Sequence, residues 1–205
     1  GHRARVEKLL EEAAGEPLPI DPAALVFSGG GGSTRKTGPN EEPDMDALEL
    51  LVDLHRPAER QGPAGEMETK RALELAGLDR SRRLKVADIG CGTGASTIVL
   101  AKELDADITA VDFLPEFLEE LQIRAGSQGV ADRIATLRCS MDALPFAEAV
   151  YDVIWSEGAV YNMGFEAGIS AWRRFLKPGG KLIVSEITWL SATRPAELQS
   201  HWEAE

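Results

Sequence analysis

The chain has 205 residues, 43% of them hydrophobic and 27% charged, with a formal net charge of −12. This length suits one domain with a tail and is ample for a core. The acidic balance argues against a nucleic-acid partner, because no basic stripe offsets it.

Two cysteines are too few for a disulfide framework or a metal cluster, so Cys91 and Cys139 read first as small buried residues. No apolar run is long enough to span a bilayer and none reads as a signal peptide, so no membrane partner and a cytoplasmic setting are expected.

In chain order, residues 1–43 read as an appendage. A short amphipathic helix over 3–14 is followed by Pro17, Pro19 and Pro22, which break the chain, and by Ser28-Gly-Gly-Gly-Gly-Ser33, a flexible linker by composition. The domain is assigned to 44–205. It opens with a helix over 47–55 capped by Asp46, a turn-rich stretch over 57–65, and a helix over 66–76 with Gly77 as its C-cap. Strand one is expected over 86–89, then Gly90, Gly92 and Gly94, then a helix over 96–104. Strand two covers 107–112, and Pro115 fits the first turn of a helix over 116–125. Strand three covers 134–138 and strand four 151–155. A helix over 165–176 and a turn over 177–180 lead to strand five over 181–188, and a further helix starts after Pro195.

Strands and helices alternating at this interval give an α/β fold with a doubly wound, mostly parallel sheet. Right-handed crossovers place every strand C-terminus on one edge, with a crevice at the switch point beside strand one. The stretch Ala87-Asp-Ile-Gly-Cys-Gly-Thr-Gly94 sits at that point, and its strand, glycine turn and helix bring backbone N–H groups up to a ligand. Gly90-x-Gly92-x-x-Ala95 also fits a dinucleotide fingerprint. Three acids weigh against a pyrophosphate there: Asp88 two residues before the first glycine, Asp112 at the end of strand two, and Asp142 after strand three. Acids at successive strand ends suit a cationic nucleoside carrying an amino acid.

With Ala110-Val-Asp-Phe113, Ser140-Met-Asp-Ala-Leu-Pro-Phe146, Asp152-Val-Ile-Trp-Ser-Glu-Gly158 and Phe175-Leu-Lys-Pro-Gly-Gly-Lys-Leu182 added in the same order, the sequence resembles the class I S-adenosylmethionine-dependent methyltransferases. The likeness is greatest to their small-molecule, ubiquinone-biosynthesis-like group. It implies a Rossmann-like methyltransferase fold, S-adenosyl-L-methionine as cofactor and a small-molecule methyl acceptor. By that resemblance Asp88 lies near the methionine amino group, and Gly90, Cys91, Gly92 and Thr93 lie along the methionine and ribose. Asp112 takes the ribose hydroxyls, Phe113 lies on the adenine, and Met141 and Asp142 meet its edge. A similar Arg-Gln-Gly-Pro stretch enters the cofactor mouth in such proteins, which makes Arg60 a partner for the methionine carboxylate. Glu157, and after it Tyr161, follow strand four where the reacting centre is expected, as a base or a contact to cofactor. No residue set suggests a metal.

The family continues into an antiparallel hairpin after strand five, which this chain is expected to lack. Something else should then cover the strand-five edge: a second copy of the chain, a continuation of it, or the N-terminal appendage. Two rival functions stand beside methyl transfer: a cofactor-binding or scaffolding module without turnover, and an NAD-dependent oxidoreductase.

Overall fold

Val86, Ala87 and Ile89 expose no surface, and this run of small and branched apolar side chains makes β1 (Leu84–Ile89) a central strand. The computed structural model describes residues 45–62, 64–187 and 196. The expected N-terminal helix and linker, Thr188 at the end of the expected strand five and the helix after Pro195 (residue 196 apart) lie outside the described residues; Glu186 and Ile187, expected in that strand, follow its end at Ser185.

On either side of β1 run β2 (Ala106–Asp112) and β4 (Tyr151–Glu157), with β3 (Ile134–Arg138) beyond β2 and β5 (Leu176–Ser185) beyond β4. All four pairings are parallel. The order reverses between β1 and β4, so the crevice opens at the C-terminal ends of those two strands. Among the described residues there are five helices: α1 (Met45–His55), which leaves Leu50 and Leu54 exposed, and α2 (Glu66–Leu75), α3 (Ala95–Glu103), α4 (Pro115–Ser127) and α5 (Phe165–Trp172), which pack on the sheet.

Alternation along the strands assigns α2 to α5 each to a face. Val86, Ile108, Val153 and Trp155 pack with Leu73 of α2, Leu100 of α3 and Leu121 of α4. Ala87, Ile89, Val111 and Ile154 pack on the other face with Trp172 of α5 and with Phe175. Both faces are covered, which is why β1 and β4 read as continuous apolar runs.

Several boundaries differ from expectation. Asp46 lies inside α1 rather than before it. The helix expected to reach 176 stops at Trp172 and passes through a 3₁₀ turn, Arg173–Phe175, into β5 at Leu176. The turn expected over 177–180 is a bulge within β5: Tyr151 pairs with Leu176 and Val153 with Lys181, so four residues face Asp152 alone. Pro178 has no N–H to give the ladder and Gly179 sits at φ 78°, so the strand arches there and then resumes. β4 runs on to Glu157.

Gly94 caps α3 at φ 90°, and a methyl group there would fall on the Leu121 side chain. Gly94→Ala should therefore cost about 2 kcal/mol, from the left-handed backbone and from displaced α4 packing. Urea denaturation checks this.

Candidate functional site

Asp88 is the penultimate residue of β1 and has no exposed surface. Its Oδ2 accepts from Ser96 Oγ at 3.0 Å and Thr97 Oγ1 at 2.6 Å, both in the first turn of α3. Its Oδ1 is buried with no hydrogen-bond partner. Burial pushes the Asp88 carboxyl up to about 7; the Thr97 and Ser96 hydroxyls and the Arg60 charge oppose the rise, and Glu157 adds to it. A buried carboxyl oxygen without a partner at the strand end is an acceptor awaiting a donor.

Asp112 closes β2. Its Oδ2 accepts from Gly92 N–H at 2.9 Å and its Oδ1 from Leu114 N–H at 3.0 Å. Burial raises its pKa above the ordinary carboxylate value, against the pull of the Leu114, Gly92 and Phe113 N–H groups. Each oxygen keeps a lone pair for a further donor. Gly90 and Cys91 both donate from their backbones to the Val111 carbonyl, which ties the glycine turn to β2. A side chain on Gly90 would strike Ala159 and touch Met141, so the space above the turn stays open only for glycine.

Glu157, expected as a base leaving the strand end, is held instead. Its Oε2 accepts from Arg60 Nη1 at 2.6 Å and Thr69 Oγ1 at 3.1 Å, and its Oε1 from Trp155 Nε1 at 2.7 Å. Both partners of the ion pair are mostly buried, at 15% and 12% exposure. Three donors on its two oxygens fix the carboxylate in place. Arg60 also donates from Nη2 to Thr69 at 2.8 Å. The pair lies close enough to Asp88 for both charges to act on it.

The other expected residues divide. The Cys91 side chain belongs to the core, where burial, with Asp88 and Asp112 adding to it, pushes its thiol well above the ordinary value. Its backbone serves the turn, and its thiol donates weakly to the Gly92 carbonyl at 3.6 Å. Thr93 is fully buried: its N–H donates to Gln61 Oε1 at 3.2 Å and its hydroxyl accepts from Gln61 Nε2 at 2.6 Å. Met141 reaches the space over Gly90, and its carbonyl accepts from Trp172 Nε1 at 2.9 Å. Phe113 and Asp142 are exposed at the rim, the former by 53%. Tyr161 stands half exposed on the 3₁₀ turn Val160–Asn162.

Four polar residues join the site without having been singled out for it: Thr69, Ser96, Thr97 and Arg124. Gln61 was visible only as Arg60's neighbour. Arg124 reaches Thr93 Oγ1 at 3.1 Å from α4.

The donor set fits S-adenosylmethionine. A buried carboxylate oxygen without a partner suits an ammonium, Asp112 keeps lone pairs for a diol, and the glycine turn leaves room for backbone approach. The same Asp88 oxygen would repel a pyrophosphate. Among the described residues, no group of His, Cys, Asp and Glu is placed to hold a metal ion, and no helix is long and apolar enough to cross a membrane.

Comparison with known proteins agrees with this chemistry. The family described as methyltransferase domain matches residues 86–180. Methyltransferase GfsG of Streptomyces halstedii is 31% identical over 146 residues, which cover 71% of this chain and 48% of that protein. A demethylmenaquinone methyltransferase of Lactiplantibacillus plantarum is 33% identical over 147 residues, 70% of this chain and 58% of that one. The chain thus spans about half the length of these curated relatives. In fold, a Geobacter sulfurreducens S-adenosylmethionine-dependent methyltransferase solved with S-adenosyl-L-homocysteine superposes with a TM-score of 0.61 at 21% identity, covering 75% of this chain and 62% of that one. The acids at the ends of β1 and β2, the glycine turn between them and these likenesses agree: the chain belongs to the class I S-adenosylmethionine-dependent methyltransferases.

Proposed function

We propose that the protein transfers the methyl group of S-adenosylmethionine to a small-molecule acceptor. The observation that carries this is the buried, unpartnered Oδ1 of Asp88 beside the glycine turn. When bound, the cofactor supplies a methyl group already activated by a sulfonium, so the protein's task is alignment and exclusion of water.

Asp88 takes the ammonium of the methionine portion, and Asp112 takes the ribose hydroxyls with its remaining lone pairs. Met141 and Phe113 offer apolar surface to the adenine, and Asp142 accepts from its amino group. Arg60 serves the methionine carboxylate with donors beyond those given to Glu157 and Thr69. Glu157 in this role fixes Arg60. An acceptor that arrives protonated has Tyr161, exposed at the rim, as the first group to relay its proton. The relatives' names, among them a demethylmenaquinone methyltransferase and malonyl-[acyl-carrier protein] O-methyltransferases, support an acceptor of the quinone or carboxylate type. They also support membership of the ubiquinone-biosynthesis-like group. A cytoplasmic setting belongs to the same reading, supported by two unpaired cysteines.

Calorimetric titration with S-adenosylhomocysteine, followed by an acceptor screen that reads demethylated cofactor, tests the proposal. Within it, Asp112→Ala should weaken binding by about 1.5–3 kcal/mol through loss of a charged acceptor. An unchanged dissociation constant would remove the ribose assignment.

A further inference from the structure

Residues 56–62 pass between α1 and α2 without entering a helix or strand, and side chains from other parts of the fold hold them in place. Arg124 on α4 donates to the Glu59 carbonyl from Nη1 and to the Arg56 carbonyl from Nη2, each at 3.1 Å. Glu120 balances its charge at 2.8 Å. The Thr93 hydroxyl, on the glycine turn, donates to the Ala58 carbonyl at 3.3 Å and accepts from both Gln61 and Arg124. Strap, turn and α4 therefore meet on one buried hydroxyl.

Gln61 adds a bond to the turn's backbone, because its Oε1 accepts the Thr93 N–H. Its Nε2 also donates to the His55 carbonyl at 3.1 Å. A side chain on Gly92 would collide with the same Oε1, so the amide lies directly against the turn. The neighbouring Gly92 N–H goes to Asp112. Gln61, the Gly92–Thr93 backbone and Asp112 thus form one continuous run of contacts, and Arg60, one residue earlier on the strap, is carried to Glu157. The Gln61 amide supplies, from one planar group, both the acceptor and the donor that Thr93 uses.

Resting on the S-adenosylmethionine reading of the site, we infer that Gln61 is a positioning residue for that ligand. With Arg124 behind it, Gln61 clamps residues 56–62 onto the glycine turn. Docking of the strap and ordering of the Gly92–Asp112 acceptor set are then a single event.

A double-mutant cycle of Gln61→Leu and Thr93→Val in the full chain tests this. It is read by calorimetric affinity and dissociation rate for S-adenosylhomocysteine and, without ligand, by amide hydrogen exchange of residues 56–62 and 92–94. Each single change should weaken binding about tenfold, mostly through faster dissociation, and the double variant should be no weaker than either single one. Exchange should quicken in both segments together. Gln61→Glu, which keeps the acceptor for Thr93 N–H, should recover part of the turn's protection. Additive losses in the cycle overturn the clamp, as does faster exchange in the strap with a turn protected as in the wild type. A wild-type chain that does not bind S-adenosylhomocysteine would instead overturn the cofactor reading, and the exchange data would then decide the clamp by themselves.

Discussion

Asp88→Asn is expected to weaken S-adenosylhomocysteine binding by about a hundredfold, the loss of a charge-assisted bond in a buried site, and yet to stabilise the ligand-free chain above pH 7. The two effects share a cause. In the ligand-free fold Asp88 titrates near 7, above its unfolded value, because burial opposes its charge. A carboxyl raised in this way adds no penalty below about pH 4, where both states hold the proton; it removes stability as pH rises towards 7 and leaves a constant deficit above. That deficit is on the order of 4 kcal/mol by linkage. Asn escapes it, but its amide hydrogens inherit the unpartnered position, so a net gain of about 1–2 kcal/mol is expected at pH 8. Urea denaturation at pH 5 and pH 8 should show the variant's advantage growing with pH. Wild-type affinity should fall about tenfold from pH 8 to pH 6, since binding wants the ionised carboxylate, while the variant's affinity follows only the ligand's own titration. An advantage equal at both pH values would show that Asp88 is already ionised in the ligand-free fold.

Asp152→Ala should have the largest effect on stability, about 2–4 kcal/mol. Asp152 is buried in β4 at the N-terminal edge of the sheet. One oxygen accepts from Arg82 at 2.7 Å; the other accepts from Lys177 and from the Lys85 backbone N–H, each at 2.8 Å. It stands opposite the β5 bulge, so its carboxylate joins β1, β4 and β5 where the β4–β5 ladder is interrupted. Burial alone would raise its pKa, but the Arg82, Lys177 and Lys85 bonds outweigh it and hold the carboxyl well below the usual range. The sign is opposite to that of Asp88: this stability is present above about pH 4 and is lost as acid protonates the group. The melting temperature should drop by roughly 5–12 °C at neutral pH, and the deficit should shrink in acid, with ligand affinity unchanged.

The strands were legible because β1, β2 and β4 each carry a short buried apolar stretch: Val86 and Ala87, Ala110 and Val111, and Val153 to Trp155. Asp88, Asp112 and Glu157 were legible because a parallel sheet delivers strand-end residues to one edge. The end of α5 was not, since Trp172, Phe175 and Leu176 continue an apolar pattern into the same core across the 3₁₀ turn. The bulge hid because Lys-Pro-Gly-Gly reads as a turn wherever it occurs. Gln61 and Thr93 are 32 residues apart, Arg60 and Glu157 are 97 apart, and polar pairs at such separation leave no periodic trace. Thr69 gave no signal at all: a threonine inside a helix becomes a ligand of Glu157 only once α2 docks. Glu157 ends β4, but its partners Arg60, Thr69 and Trp155 left no trace in the sequence.

Asp88 and Asp152 occupy opposite ends of neighbouring strands, which separates two kinds of tuning. An alteration at the bulge-side edge can raise or lower heat tolerance without disturbing recognition, and one at the glycine-turn edge can trade recognition for robustness. Directed evolution of this chain could therefore bank stabilising changes around Arg82, Lys177 and the bulge first. That reserve could then be spent on new acceptor chemistry at the far edge.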